Sequence, residues 1–205
     1  MNIGVDVDGV LVDMEGYQLR TGIEYFRKKY GKDVVDPKGY DIEDIFECTH
    51  KERERFWLKY IWTYCLKEPI FPYAAEALRI LHDKGHNVVI ITSRAHTTEK
   101  GLTGWVFRKM LLRWLKKNGV YYDKILYCTE KNSGEDKCRI CLEENIDVMI
   151  DDKPENLNAV MDYMKVICYP AVWNEDANEE QYIRVKGWQD ITKIIEELAN
   201  RGVDR

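Results

Sequence analysis

Three aspartates, Asp6, Asp8 and Asp13, interrupt the stretch VDVDGVLVDMEG (5–16), whose other positions are dominated by Val and Leu. That composition suits a strand buried on both faces. An isolated carboxylate in such a place costs roughly several kcal/mol unless it is protonated, paired or bound to metal. A metal site at the strand's carboxyl end resolves the conflict. The i, i+2 spacing of Asp6 and Asp8 predicts that both side chains point to one side, with Gly9 allowing an unusual backbone turn beside them. Three later stretches carry complementary groups. VVIITSR ends in the uncharged hydroxyls Thr92 and Ser93 followed by Arg94, TEKNSGEDKCRIC contains Lys131 and Lys137, and DVMIDDKP contains Asp151 and Asp152. Four carboxylates at one edge of a sheet repel one another unless a hard cation such as Mg²⁺ takes oxygen ligands from them. Aspartate pairs with a lysine and hydroxyl donors suggest phosphoryl chemistry, because an aspartate can attack phosphorus only when the substrate's charge is offset.

The elements that must position these groups alternate along the chain. Apolar, β-branched runs recur at NIGVDVDGVLV, HNVVIIT, DKILYCT, DVMID and KVICYP. Between or after them lie helical patterns: AAEALRILHDKG, GLTGWVFRKMLLRWLKKNG, EDKCRICLEEN, PENLNAVMDYM and WQDITKIIEELAN. The alternation predicts an α/β doubly wound sandwich with a parallel sheet of five strands, whose ligands sit beyond the strands' carboxyl ends. Residues 15–72 break the pattern. They carry two helical stretches, EGYQLRTGIEYFRKKYG and HKERERFWLKYIWTYCLKE, joined by KDVVDPKGYD. The expectation is a small helical cap at 15–72 inserted into a core made of 1–14 and 73–205. Phe46, Phe56, Trp57, Tyr60, Trp62, Tyr64, Phe71 and Tyr73 lie in or next to it, as core of the insertion or as walls for a flat ligand.

The chain has 205 residues, 45% of them hydrophobic, enough for one sizeable core with a modest appendage. A net charge of -5 without a long Lys/Arg run argues against a nucleic-acid polymer or a membrane surface as partner and favours a small molecule. No signal peptide or bilayer-spanning run is evident, so a soluble, cytoplasmic protein is expected, with a homodimer as the assembly considered. Six cysteines are read as reduced thiols, and Cys138-x-x-Cys141 as helical thiols in preference to a zinc site, since neither a second such pair nor a suitably spaced His accompanies it.

Asp6-x-Asp8-Gly9-Val10, Thr92-Ser93, Lys137 and Asp151-Asp152, in this order, resemble the four motifs of the haloacid dehalogenase (HAD) superfamily of aspartate-nucleophile phosphatases. DVDGVLVDMEG, IITSR, IDDKP and the tail VKGWQDITKII are similar, more closely, to the 5′(3′)-deoxyribonucleotidases. Met14 departs from that pattern by standing where the family often has an aromatic. The resemblance implies a HAD-like Rossmannoid three-layer sandwich and Mg²⁺-dependent hydrolysis of a nucleoside monophosphate through an aspartyl-phosphate. Asp6 would be the nucleophile and a metal ligand, and Asp8 the general acid and then base, with its backbone carbonyl on the metal. Asp152 would be a direct ligand and Asp151 its support. Thr92 would donate to a phosphoryl oxygen, Ser93 and Arg94 would touch phosphate or cap, and Lys137, preferred to Lys131 because it begins a helix, would bridge Asp6 and the phosphate. Asp13 is expected to reach backbone amides at the turn into the cap. A HAD phosphatase for a sugar phosphate and a non-catalytic phosphate sensor are the alternatives.

Overall fold

Successive residues of the apolar runs leave on opposite faces of one parallel sheet. The computed structural model describes residues 1–177 and 182–202. Its strands are β1 (Asn2–Val5), β2 (Asn87–Thr92), β3 (Lys124–Tyr127), β4 (Val148–Asp151), β5 (Lys165–Cys168) and β6 (Ile183–Arg184), in the order β3-β2-β1-β4-β5-β6. The helices are α1 (Met14–Tyr30), α2 (Ile42–Phe46), α3 (His50–Lys67), α4 (Ala74–Asp83), α5 (Gly101–Lys117), α6 (Ser133–Glu143), α7 (Pro154–Val160) and α8 (Trp188–Arg201). Ile3, Val5, Val88, Ile90, Val148 and Ile150 pack with residues of α4, α5 and α8. Val89, Ile91, Met149 and Val166 pack with α6 and α7. The result is a three-layer α/β/α sandwich in which each fully buried aliphatic side chain contributes about 1.5–3 kcal/mol. Gly4, between Ile3 and Val5, leaves room for Met149, whose Sδ would lie 2.6 Å from a Cβ there.

The sheet has six strands where the sequence pattern shows five. The extra one, β6, pairs Ile183 with Ile167 and Arg184 with Cys168. Two residues at a sheet edge are too short to leave a periodic signal. The strand order changes direction at β1, which has β2 on one side and β4 on the other, so the crevice beyond β1 is where a ligand is expected. Cys138 and Cys141 lie on α6, and all six thiols are free. Among the described residues no helix is long and apolar enough to cross a membrane.

The chain leaves β1 through a loop into α1, capped by Asp13, whose Oδ1 accepts the Gly16 N–H at 2.7 Å. Asp41/Asp44 and Thr49/Glu52 form capping boxes at the starts of α2 and α3. These helices build a cluster of their own from Tyr25, Phe26, Ile42, Ile45, Phe46 and Phe56. Phe46 is fully buried, stacks on Phe26 at 4.7 Å between centroids, and sits so close to Gly22 that a Cβ there would be 2.5 Å from its ring. It is core and not a ligand wall. Phe46→Ala is expected to cost about 3–5 kcal/mol of stability in denaturant melts, with KM for substrate within about twofold of wild type.

Candidate active site

β1 stops at Val5, so Asp6 and Asp8 lie in the loop beyond it. The loop is tight: the Val7 carbonyl accepts N–H groups from Leu11 (2.8 Å) and Val12 (3.1 Å), and Gly9 N–H donates to the Val12 carbonyl at 2.9 Å. From α8, Trp188 Nε1 donates to the Val10 carbonyl at 2.8 Å. Gly9 has φ +79°, and a Cβ there would meet Asp152 Oδ2 at 2.1 Å. Both the backbone conformation and the approach of Asp152 therefore require glycine. Despite their i, i+2 spacing, Asp6 and Asp8 face different partners.

Asp6 faces the sheet's centre. Lys137, from α6 and fully buried, sits 2.9 Å from Asp6 Oδ2 and 2.5 Å from Asp151 Oδ2. Asp151 also accepts from Asn156 Nδ2 (3.1 and 3.2 Å) and from the Lys153 N–H (2.9 Å). No side-chain donor reaches the Asp152 carboxylate among the described residues. Burial pushes the Asp6 carboxyl up to about 7; Lys137 pulls it down, and Asp151 and Asp8 add to the rise. Asp152 is raised well above the usual carboxylate range by burial and by Asp151 and Asp6. For Lys137 burial alone would lower the pKa, and Asp151 and Asp6 more than offset it, so the ammonium stays charged. Lys131 is exposed, which separates the two candidate lysines.

Asp8 turns the other way. Arg94 donates to its Oδ1 from Nη2 at 2.7 Å and from Nε at 3.0 Å, with a longer 3.3 Å contact from Nε to Oδ2. Tyr64, from α3, donates to the same Oδ1 at 2.5 Å. Thr92, buried at the end of β2, accepts the Arg94 backbone N–H on Oγ1 at 3.2 Å, and Ser93 is half-buried beside it. The expected residues Asp6, Lys137, Asp151 and Asp152 thus form one cluster, and Asp8 and Arg94 a second one next to it.

Several residues at the site carry no sequence signal that singles them out. Tyr40, in the turn PKGYD between α1 and α2, packs edge-on against Trp173 at 5.0 Å and lies under Lys153 Nζ at 4.6 Å. Burial first, and then Asp152, Asp6 and Asp8, raise its hydroxyl well above its usual pKa. Lys38 pairs with Glu175 and Asp176 close by, joining the segment between α1 and α2 to the chain beyond β5. Trp173 Nε1 (3.3 Å) and Asn174 Nδ2 (2.6 Å) both donate to the Asp152 carbonyl. Asn156 lies five residues beyond Asp151 on a Pro-initiated helix, a placement that a helical reading of PENLNAV could have supplied.

The cluster suits a hard cation. One carboxylate oxygen from each of Asp6, Asp151 and Asp152 lies within 4.8 Å of the others, and Asp6 Oδ1 is buried without a hydrogen-bond partner among the described residues. A buried, partnerless carboxylate oxygen among other carboxylates is the environment a divalent ion with oxygen preference satisfies.

Fold and site together define a phosphatase of the HAD class. A solved structure titled "predicted phosphatase from Clostridium acetobutylicum" superposes with a TM-score of 0.68 at 18% identity, over 96% of this chain and 98% of that one. The family model described as "5′ nucleotidase, deoxy (Pyrimidine), cytosolic type C protein" matches residues 1–201, and the chain belongs to that family. Among similar proteins, the Bacillus cereus "Putative nucleotidase" is 27% identical over 95% of this chain and 98% of its own length. The Chlorobaculum tepidum "Putative 5′(3′)-deoxyribonucleotidase" is 26% identical over 94% and 89%. The chain is accordingly a hydrolase of phosphoric monoesters, of the 5′-nucleotidase kind.

Proposed function

We propose that the protein is a Mg²⁺-dependent 5′(3′)-deoxyribonucleotidase that cleaves nucleoside monophosphates by way of an aspartyl-phosphate. The observation that carries this reading is Asp6 itself, held by Lys137 on one oxygen and left with a buried, partnerless second oxygen at the carboxyl edge of the sheet. Asp6 attacks phosphorus, forming an aspartyl–phosphorus bond as the bond to the nucleoside oxygen breaks, and Asp8 gives that oxygen its proton. Asp8 then takes a proton from water as the water oxygen attacks phosphorus and Asp6 leaves, releasing orthophosphate. Lys137 and Thr92 hold phosphoryl oxygens, with Ser93 and Arg94 beside them. Asp6, Asp152 and the Asp8 backbone carbonyl would hold Mg²⁺, which offsets the charge gathered by carboxylates and substrate, while Asp151, occupied by Lys137, Asn156 and Lys153, supports them. The same reading divides the chain into a core, 1–14 and 73–205, and a cap, 15–72, from which Tyr40 and Tyr64 reach the site.

The test is phosphate release from ribo- and deoxyribonucleoside 5′- and 3′-monophosphates, sugar phosphates and p-nitrophenyl phosphate, with Mg²⁺ or with EDTA. Deoxyribonucleotides are expected to be turned over fastest, and EDTA to abolish turnover until Mg²⁺ is restored. Sugar phosphates turning over fastest would replace the substrate in this reading and keep its chemistry; activity indifferent to EDTA would remove the metal from it.

A further inference from the structure

The hydrogen bonds around Asp8 are lopsided. Three donor contacts of 3.0 Å or less, from Arg94 Nη2, Arg94 Nε and Tyr64 Oη, converge on Oδ1, whereas among the described residues Oδ2 has only the 3.3 Å contact from Arg94 Nε. An oxygen that already accepts from a guanidinium and a phenol has no lone pair left in good geometry for a proton of its own. The donors are themselves fixed. The Arg94 side chain is 2% exposed and lies against the rings of Tyr64 (5.0 Å) and Trp114 (5.6 Å), and its carbonyl accepts from Thr97 Oγ1 at 2.6 Å. Burial holds the Tyr64 hydroxyl protonated, as does the neighbouring Asp8 charge. Tyr64 is also the only one of the three that comes from the inserted helices, since Asp8 follows β1 and Arg94 follows β2.

We infer that Arg94 and Tyr64 are positioning residues that tether Asp8 by Oδ1 and so make Oδ2 the oxygen that hands a proton to the leaving group and recovers one from water. Proton donation thereby depends on the seating of α3, because a helix displaced from the sheet takes the Tyr64 hydroxyl with it. The inference rests on the phosphatase reading above, with Asp8 as acid and base.

A mispositioned acid matters in proportion to how badly the leaving group needs a proton. An alkoxide needs it, whereas p-nitrophenolate departs largely without help. The experiment compares wild type, Tyr64→Phe, Arg94→Lys and Asp6→Asn on p-nitrophenyl phosphate and on the alkyl phosphomonoester turned over fastest in the substrate panel. Tyr64→Phe, which keeps the ring, is expected to slow leaving-group release in the first turnover of the alkyl ester about tenfold, the loss of one hydrogen bond to a charged group, with substrate affinity and first-turnover release of p-nitrophenolate within about twofold. Arg94→Lys should show the same selectivity with a larger loss; should it fail to fold, Tyr64→Phe decides alone. Equal losses of first-turnover leaving-group release on both esters, or none on the alkyl ester, would overturn the inference while leaving the phosphatase reading in place. Turnover that survives Asp6→Asn would overturn both.

Discussion

Asp6→Asn is expected to lose at least about 10⁴-fold in turnover on every phosphomonoester while the protein remains folded. The amide is isosteric with the carboxylate but offers phosphorus no anionic oxygen, so the covalent route closes. Stability should not follow activity. Burial, Asp151 and Asp8 already push the Asp6 carboxyl up to about 7, so at neutral pH the fold carries a carboxylate it accommodates poorly without a cation. A neutral amide relieves that, and the metal-free variant should melt no lower than metal-free wild type. Phosphate release and a thermal melt, run on the same preparations, check both halves. Activity above about 1% of wild type would remove Asp6 from the nucleophile's role.

Lys137→Met should lose both activity and stability. The ammonium is fully buried between Asp6 and Asp151, and removing one partner of such a group strands the remaining charge at a cost of about 3–5 kcal/mol. The pH dependence has a definite sign. Lys137 has a raised pKa in the fold, so its contribution is present throughout the neutral range and fades only above the ordinary lysine pKa. Without it the clustered carboxyls take up protons more readily in the folded than in the unfolded chain, so stability rises as pH falls. The deficit against wild type, read from urea midpoints, should therefore be smaller at pH 5.5 than at pH 8. A deficit independent of pH would mean that the lost packing of the lysine stem, not the stranded carboxylates, sets the cost.

Much of the site is legible in the sequence because its carboxylates sit at the ends of apolar strands, where an Asp contradicts its surroundings. Asp6, Asp151 and Asp152 stand out for that reason, and they meet Lys137, which the resemblance singles out at the start of a helix, in one cluster. The second cluster is harder to read. The spacing of Asp6 and Asp8 suggests a shared direction, but strand alternation ends at Val5, and the turn at Gly9 sends Asp8 to Arg94. Tyr64 looks like any buried aromatic on a helix until the structure sets its hydroxyl on Asp8. Tyr40 lies in a polar turn with no periodicity, and only the packing against Trp173 and Lys153 brings it to the site. Phe46 and Trp62 read alike as aromatics of the helices between β1 and α4; one is core of the α1–α3 cluster and the other is 51% exposed, a difference set by which side of a helix faces the neighbour.

β1 lies in the middle of the sheet, yet it comes before every other described strand in the chain. Its neighbours β2 and β4 begin at Asn87 and Val148, and the indole that holds the Val10 carbonyl belongs to Trp188. A growing chain thus exposes an apolar strand, and Asp6 without its counter-ion, until Lys137 and then β4 have been made. Contacts this distant along the chain make for slow closure. The order of synthesis consequently separates the birth of the nucleophile from its protection by the whole stretch between Asp6 and Lys137, and the pocket begun in the loop after β1 waits for α8 to close it.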